Sequence, residues 1–148
     1  MGYTHHFPRM REVSDEQWER IAGDFALLLE HLPEQVRVFR DEDTDAPPLV
    51  DDEKIQFYGG VETFVLNRHS RDRHAGSRPP REEYPFGFDY CKTEHAPYDM
   101  LVCATLAVAE DIAPGAWKIA SNGKADDWQQ ALDWASGVLG RRLRFPVM

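Results

Sequence analysis

Residues 89 to 100 read DYCKTEHAPYDM and crowd a thiol, an ammonium, an imidazole, three hydroxyls and several carboxylates into one short stretch. A strand ending near Lys92 and a helix starting near Pro97 would place the residues between them at a helix N-terminus. Unpaired N–H groups and the helix macrodipole favour an anion there. Lys92 adds positive charge and Thr93 a hydroxyl, while Tyr98 and Asp99 fall in the first helical turn. The chemistry expected of this junction is binding of a phosphate, a carboxylate or an acidic side chain. The plain alternative is a capped helix, with Asp99 serving the dipole for about 0.3–1 kcal/mol. Tyr98 would then only pack its ring, and Thr93 or Glu94 would make local capping contacts.

Other side chains are candidates to join the junction. Glu62 falls in the expected hairpin KIQFYGGVETFVLNR, on a face shared with Ile55, Phe57, Phe64 and Leu66. A carboxylate on an apolar face must be paired, hydrogen-bonded or protonated, and Lys92 or Arg68 are the natural partners. At the sheet edge it would simply be hydrated. Ser121 and Asn122, in the turn SNG, supply a hydroxyl and an amide as wall residues. His5 and His6 are adjacent on an expected strand and face opposite sides, so they do not share a metal easily; His6 is the one carried forward as a candidate. The other histidines are scattered, and two cysteines make no zinc framework. Cys103, inside the apolar run LVCATLAVA, reads as a small buried hydrophobe. Cys91 would need a nearby base to act as a nucleophile. There is no G-x-S-x-G, P-loop or G-x-G-x-x-G, so no cofactor and no metal is expected.

The elements that must position these groups follow from periodicity. GYTHHF reads as a first strand. Ser14 and Gln17 have capping-box spacing, and Trp18, Ile21, Ala22, Phe25, Leu29 and Leu32 recur at helical spacing up to Pro33. QVRVF reads as a short strand, and 40–53 as an acidic exposed loop. Gly59 and Gly60 suggest a two-residue turn, which sets Phe57 opposite Glu62. Residues 69–83 read as a second polar loop, FGFDYCK as a strand, and 97–112 as a helix apolar nearly all round and therefore buried. GAWKIAS reads as a strand, and Asp126 or Asp127 as the cap of a last helix with Trp128, Ala131, Leu132, Ala135 and Leu139 on one stripe. The order predicts a single α+β domain, with a mainly antiparallel sheet and three helices, one of them buried.

The 148 residues suit one domain. A domain of this size can bury roughly 68–70% of its unfolded surface, enough to fold without a metal or disulfide. A net charge of −9 opposes direct nucleic-acid binding, which needs a basic surface, and permits docking of an acidic face on a basic partner. The N-terminus has no apolar signal region, and no run approaches the roughly 18 residues of a membrane span. A protein free of membranes, in the cytoplasm, is the expectation.

Taken in order, YTHHF, ETFVLNR, YCKT with PYD before an apolar helix, and SNG with DW near the end resemble small uncharacterised proteins of tailed phages and prophages. Tyr90 stands where that pattern has Phe before the Cys. The resemblance implies an accessory protein of the host-cell cytoplasm that acts by binding, and it brings no catalytic residues. Three functions follow as expectations. The first is a binding protein for an anionic or nucleotide-like ligand at the junction of Lys92, Thr93, Tyr98 and Asp99, with Arg68, Glu62, His6, Ser121 and Asn122 around it. The second is an inhibitor or adaptor acting on a host defence protein through the acidic loop. The third is a small enzyme using Glu62, Cys91 or His6. Strand edges and Trp-bearing helices leave room for a homodimer.

Overall fold

A computed structural model describes residues 2–69 and 89–147, and these described residues form three helices and two small antiparallel sheets. The architecture is α+β, as the element order predicts. Residues 70–83 of the second polar loop and Phe86–Phe88 of the FGFDYCK strand lie outside the described residues. Among the described residues no helix is long and apolar enough to cross a membrane.

The first sheet has the order β5-β1-β6, with β1 (Thr4–His6) at its centre, β5 (Tyr90–Lys92) and β6 (Ala120–Ser121). His5 pairs with Cys91 on one side and with Ser121 on the other, so these three share one cross-strand row. Their neighbours His6, Tyr90 and Ala120 form the next row, which faces the other way.

The second sheet has the order β2-β3-β4 (Leu49–Val50, Lys54–Tyr58, Thr63–Asn67). Ile55, Phe57, Phe64 and Leu66 are fully buried on one face, as the alternation requires. The register differs from the two-residue turn: Phe57 pairs with Phe64 and Tyr58 with Thr63, leaving Gly59–Glu62 as the loop. Glu62 therefore lies outside the ladder. A shift of two residues keeps every side chain on its face, which is why the apolar set survives the change. Leu49–Val50 adds a strand within the stretch expected to be all loop, because this apolar pair can cover the edge of β3. QVRVF makes only a bridge, Phe39 to Tyr58, and GAWKIAS contributes only β6 and a bridge from Trp117 to Arg9.

Helix α1 (Asp15–Glu30) begins with the expected capping box: the Ser14 hydroxyl accepts the Gln17 N–H at 3.1 Å, and the Gln17 side chain accepts the Ser14 N–H at 3.0 Å. Ser14→Ala is expected to cost about 1 kcal/mol, read as a lowered urea midpoint with unchanged slope. An unchanged midpoint would show that the Gln17 half suffices. Trp18, Ile21, Phe25 and Leu28 face the core, and Phe25 stacks on Phe57 at 5.5 Å between ring centres.

Helix α2 (Asp99–Ile112) is buried without a break from Leu101 to Ala109, because it contacts both α1 and α3 (Ala125–Leu139). Lys124, two or three residues before the expected Asp126 or Asp127, is the N-cap of α3. Asp127 takes part by accepting the Lys124 N–H at 2.8 Å. Trp128, Ala131, Leu132 and Ala135 are its buried stripe, and Gly140 ends it in the left-handed conformation with φ of 72°.

Candidate functional site

The row Cys91–His5–Ser121 faces the first turns of α2, and a buried polar centre forms there. The His5 ring is fully buried. Its Nε2 lies 2.6 Å from Asp99 Oδ1 and its Nδ1 2.8 Å from the Ser121 hydroxyl. Asp99 and Cys103 stand four residues apart on α2 and so share a face. The Cys103 Sγ sits 3.5 Å from Asp99 Oδ2 and 3.6 Å from His5 Nε2. The buried Thr93 hydroxyl donates to Asp99 Oδ1 at 2.5 Å. Asp99 thus collects three donors. Burial pushes its carboxyl up, but the hydrogen bond from His5, the charge that ring can carry, and the bonds from Thr93 and Cys103 outweigh burial and hold it below its usual value. Burial and then the Asp99 charge push the Cys103 thiol well up.

Since the Asp99 carboxylate is an acceptor, Nε2 of His5 donates to it. Nδ1 then pairs with Ser121, accepting its proton when the ring is neutral. Hydroxyl, imidazole and carboxylate are in the sequence of a proton relay. The Ser121 oxygen, however, also accepts the Gly123 N–H at 2.8 Å and the Trp128 indole N–H at 3.3 Å. With its lone pairs engaged in this way it is a poor nucleophile. Trp128 and Tyr3 both meet the His5 ring edge-on, at 5.1 and 5.2 Å between centres.

A strained turn closes the centre on one side. Glu94 and His95 have φ of 51° and 60°, left-handed for both, a conformation that side chains adopt at a cost of order 1–3 kcal/mol each. The Tyr3 backbone holds the turn: its carbonyl accepts the Thr93 N–H at 3.0 Å, and its N–H donates to the Glu94 carboxylate at 2.8 Å. His95 then stacks on Tyr3 with ring centres 3.5 Å apart. The Tyr3 hydroxyl is directed toward Ser121 yet forms no aligned hydrogen bond. Gly123 is required beneath it, since a Cβ there would lie 2.1 Å from that oxygen.

Asp99 keeps 15% of its side chain exposed and reaches the surface in a cavity of about 210 Å³ that also touches His95, Met100, Asp127 and Gln130.

Of the residues expected at the junction, Thr93, Asp99 and Ser121 come together. Lys92 does not join them: it is exposed, and strand alternation sends its side chain to the face opposite His5 and Cys91. Tyr98 is a core residue whose hydroxyl donates to the Glu62 carbonyl at 2.7 Å and accepts the Glu62 N–H at 3.0 Å. The Glu62 carboxylate accepts the backbone N–H of Lys92 at 2.7 Å rather than pairing with a cationic side chain. Asn122 is exposed and accepts the Thr4 N–H at 2.8 Å. Arg68 lies at the far end of β4, against Asp15 and the Asp52 carbonyl. His6 points to the other side of the first sheet, beside Tyr90.

Glu62, Cys91 and His6 do not converge. Cys91 is buried, its thiol directed at the Glu62 carbonyl at 3.8 Å, and burial pushes it up to about 12, which disfavours a nucleophilic thiolate. The residues that sequence reasoning passed over are His5, Cys103, Tyr3 and Trp128. The spacing of Asp99 and Cys103 on one helical face was a visible signal. The choice of His5 over His6 was not, because it depends on which sheet face α2 covers. Protein-family models, curated proteins and solved structures return no match to this chain.

Proposed function

We propose that this is a small accessory binding protein of the tailed-phage type its motifs resemble, and that it takes its ligand in the cavity floored by Asp99. One observation carries the reading: a carboxylate fixed by His5, Thr93 and Cys103 yet still partly open to a small cavity. Aligning such a group in advance lowers the ordering cost of binding. Asp99 and Asp127 border the cavity, so the contacting group of the ligand is cationic or rich in N–H donors. A nucleotide-like ligand would enter by the amino edge of its base, not by its phosphate. A thermal-shift panel of nucleosides, cyclic dinucleotides, polyamines and inorganic phosphate, run with a chelator present, tests this. A ligand at 100 times its Kd should stabilise by about 2.7 kcal/mol, a shift of roughly 5–10 °C for a chain of this size. The amino-bearing compounds should give it and phosphate should not, and Asp99→Asn should abolish it. No shift from any amino-bearing compound, or one that Asp99→Asn leaves intact, would refute the reading.

A second reading rests on a different observation. Glu42, Asp43, Asp45, Asp51, Asp52 and Glu53 are all exposed on one acidic stretch, a surface suited to a basic face of a host protein. Changing these residues to serine should release such a partner, and binding should weaken as salt rises.

A further inference from the structure

We propose that His5, Asp99 and Cys103 bind a thiophilic divalent cation, of which Zn²⁺ fits best. Imidazole nitrogen, carboxylate oxygen and thiol sulfur converge from two elements, with all three donor atoms within 4.8 Å of one another. Zinc bonds of about 2.3 Å to sulfur and 2.0–2.2 Å to nitrogen and oxygen imply tetrahedral edges of roughly 3.5 Å from sulfur to either lighter atom. The observed separations are 3.6 Å from Sγ to Nε2 and 3.5 Å from Sγ to Oδ2. The 2.6 Å contact of Nε2 is with the other carboxylate oxygen, Oδ1, and is the length of a hydrogen bond. A cation held by Sγ, Nε2 and Oδ2 would replace that hydrogen bond and set Nε2 about 3.3 Å from Oδ2. Thiolate and imidazole together select zinc over magnesium or calcium.

The surroundings suit a metal. A ligating histidine needs a partner on its other nitrogen, and a ligating carboxylate needs hydrogen bonds of its own. Ser121 stands on Nδ1 and Thr93 on the carboxylate. The protons also balance. Binding would displace the Cys103 thiol proton to solvent and shift the His5 proton from Nε2 to Nδ1, where it would donate to the Ser121 oxygen in place of the longer Trp128 N–H bond at 3.3 Å. The Ser121 hydroxyl proton must then turn elsewhere. The buried Tyr3 oxygen lies in that direction.

The inference is independent of the cavity ligand, because its readout is the metal itself. The full chain, stripped with chelator, is titrated with Co²⁺ and then Zn²⁺. Expected is one Co²⁺ per chain, with visible bands of a four-coordinate ion and a near-ultraviolet thiolate-to-cobalt charge-transfer band, all lost when Zn²⁺ is added. Cys91→Ala should keep the charge-transfer band, since Cys103 is then the sole thiol, and Cys103→Ala should lose it. Ser121→Ala should weaken Co²⁺ binding by roughly 10–100-fold, as changes behind a metal ligand do. No charge-transfer band in the Cys91→Ala protein overturns the proposal even if Cys103→Ala fails to fold. So does a band that persists in Cys103→Ala.

Discussion

Asp99→Ala, in metal-free protein, is expected to lower the free energy of unfolding by about 3–5 kcal/mol, since each buried donor left without its acceptor costs about 1–3 kcal/mol. The loss falls on three donors at once. His5 Nε2, the Thr93 hydroxyl and the Cys103 thiol all turn to this carboxylate, and His5 and Thr93 are fully buried, so water cannot readily replace it. Asp99→Asn keeps one oxygen acceptor and loses less, about 1–3 kcal/mol. Urea titration followed by circular dichroism measures both. If Asp99→Ala costs less than about 1 kcal/mol, within the range of ordinary exposed ion pairs, the centre does not fasten β1 to α2.

Gly59→Ala is expected to cost about 3 kcal/mol, at the upper end of overpacking effects. The added Cβ would lie 2.2 Å from Cγ and 2.3 Å from Cβ of Tyr98. These atoms cannot swing aside, because the ring is 1% exposed and its hydroxyl is tied to Glu62 at the other end of the same loop. Gly60→Ala is the informative comparison. Its φ of 122° strains any side chain, yet nothing lies within 4 Å of its Cβ, so it should cost only about 1–2 kcal/mol. In a Tyr98→Ala background the Gly59→Ala penalty should largely vanish, a coupling that a double-mutant cycle reads directly. Equal costs in both backgrounds would mean the loop, and not the ring, sets the requirement for glycine.

The same pair of residues shows where sequence reasoning stops. Alternation placed Ile55, Phe57, Phe64 and Leu66 on one face without any knowledge of what they would pack on. Two adjacent glycines suggested the shortest turn. The longer loop prevails because Tyr98, some forty positions away, occupies the space beside Gly59 and holds both backbone groups of Glu62. Helices were legible for a similar local reason: capping box, stripe and terminating Pro or Gly act within a few residues. The strand-to-helix junction was legible as a place, and Thr93, Asp99 and Ser121 do meet there. Its sign was not. Lys92 should have made it attractive to anions, but one step of strand alternation removes that ammonium and leaves the Asp99 carboxylate facing inward. His5 was set aside in favour of its neighbour for want of the same information.

The position of β1 at the middle of its sheet has a consequence for how the protein is made. Thr4–His6 must wait for Tyr90–Lys92 and then for Ala120–Ser121 before either edge is paired. The two bonds that fix the His5 ring span 94 and 116 positions, contacts of the kind that slow folding. At the usual 5–20 residues per second of synthesis, the ring stays without partners for several seconds after it leaves the ribosome. An interrupted chain ending before Ser121 holds an imidazole, a carboxylate and a thiol but lacks the hydroxyl that orients them. Only a chain translated through β6 can complete the polar centre.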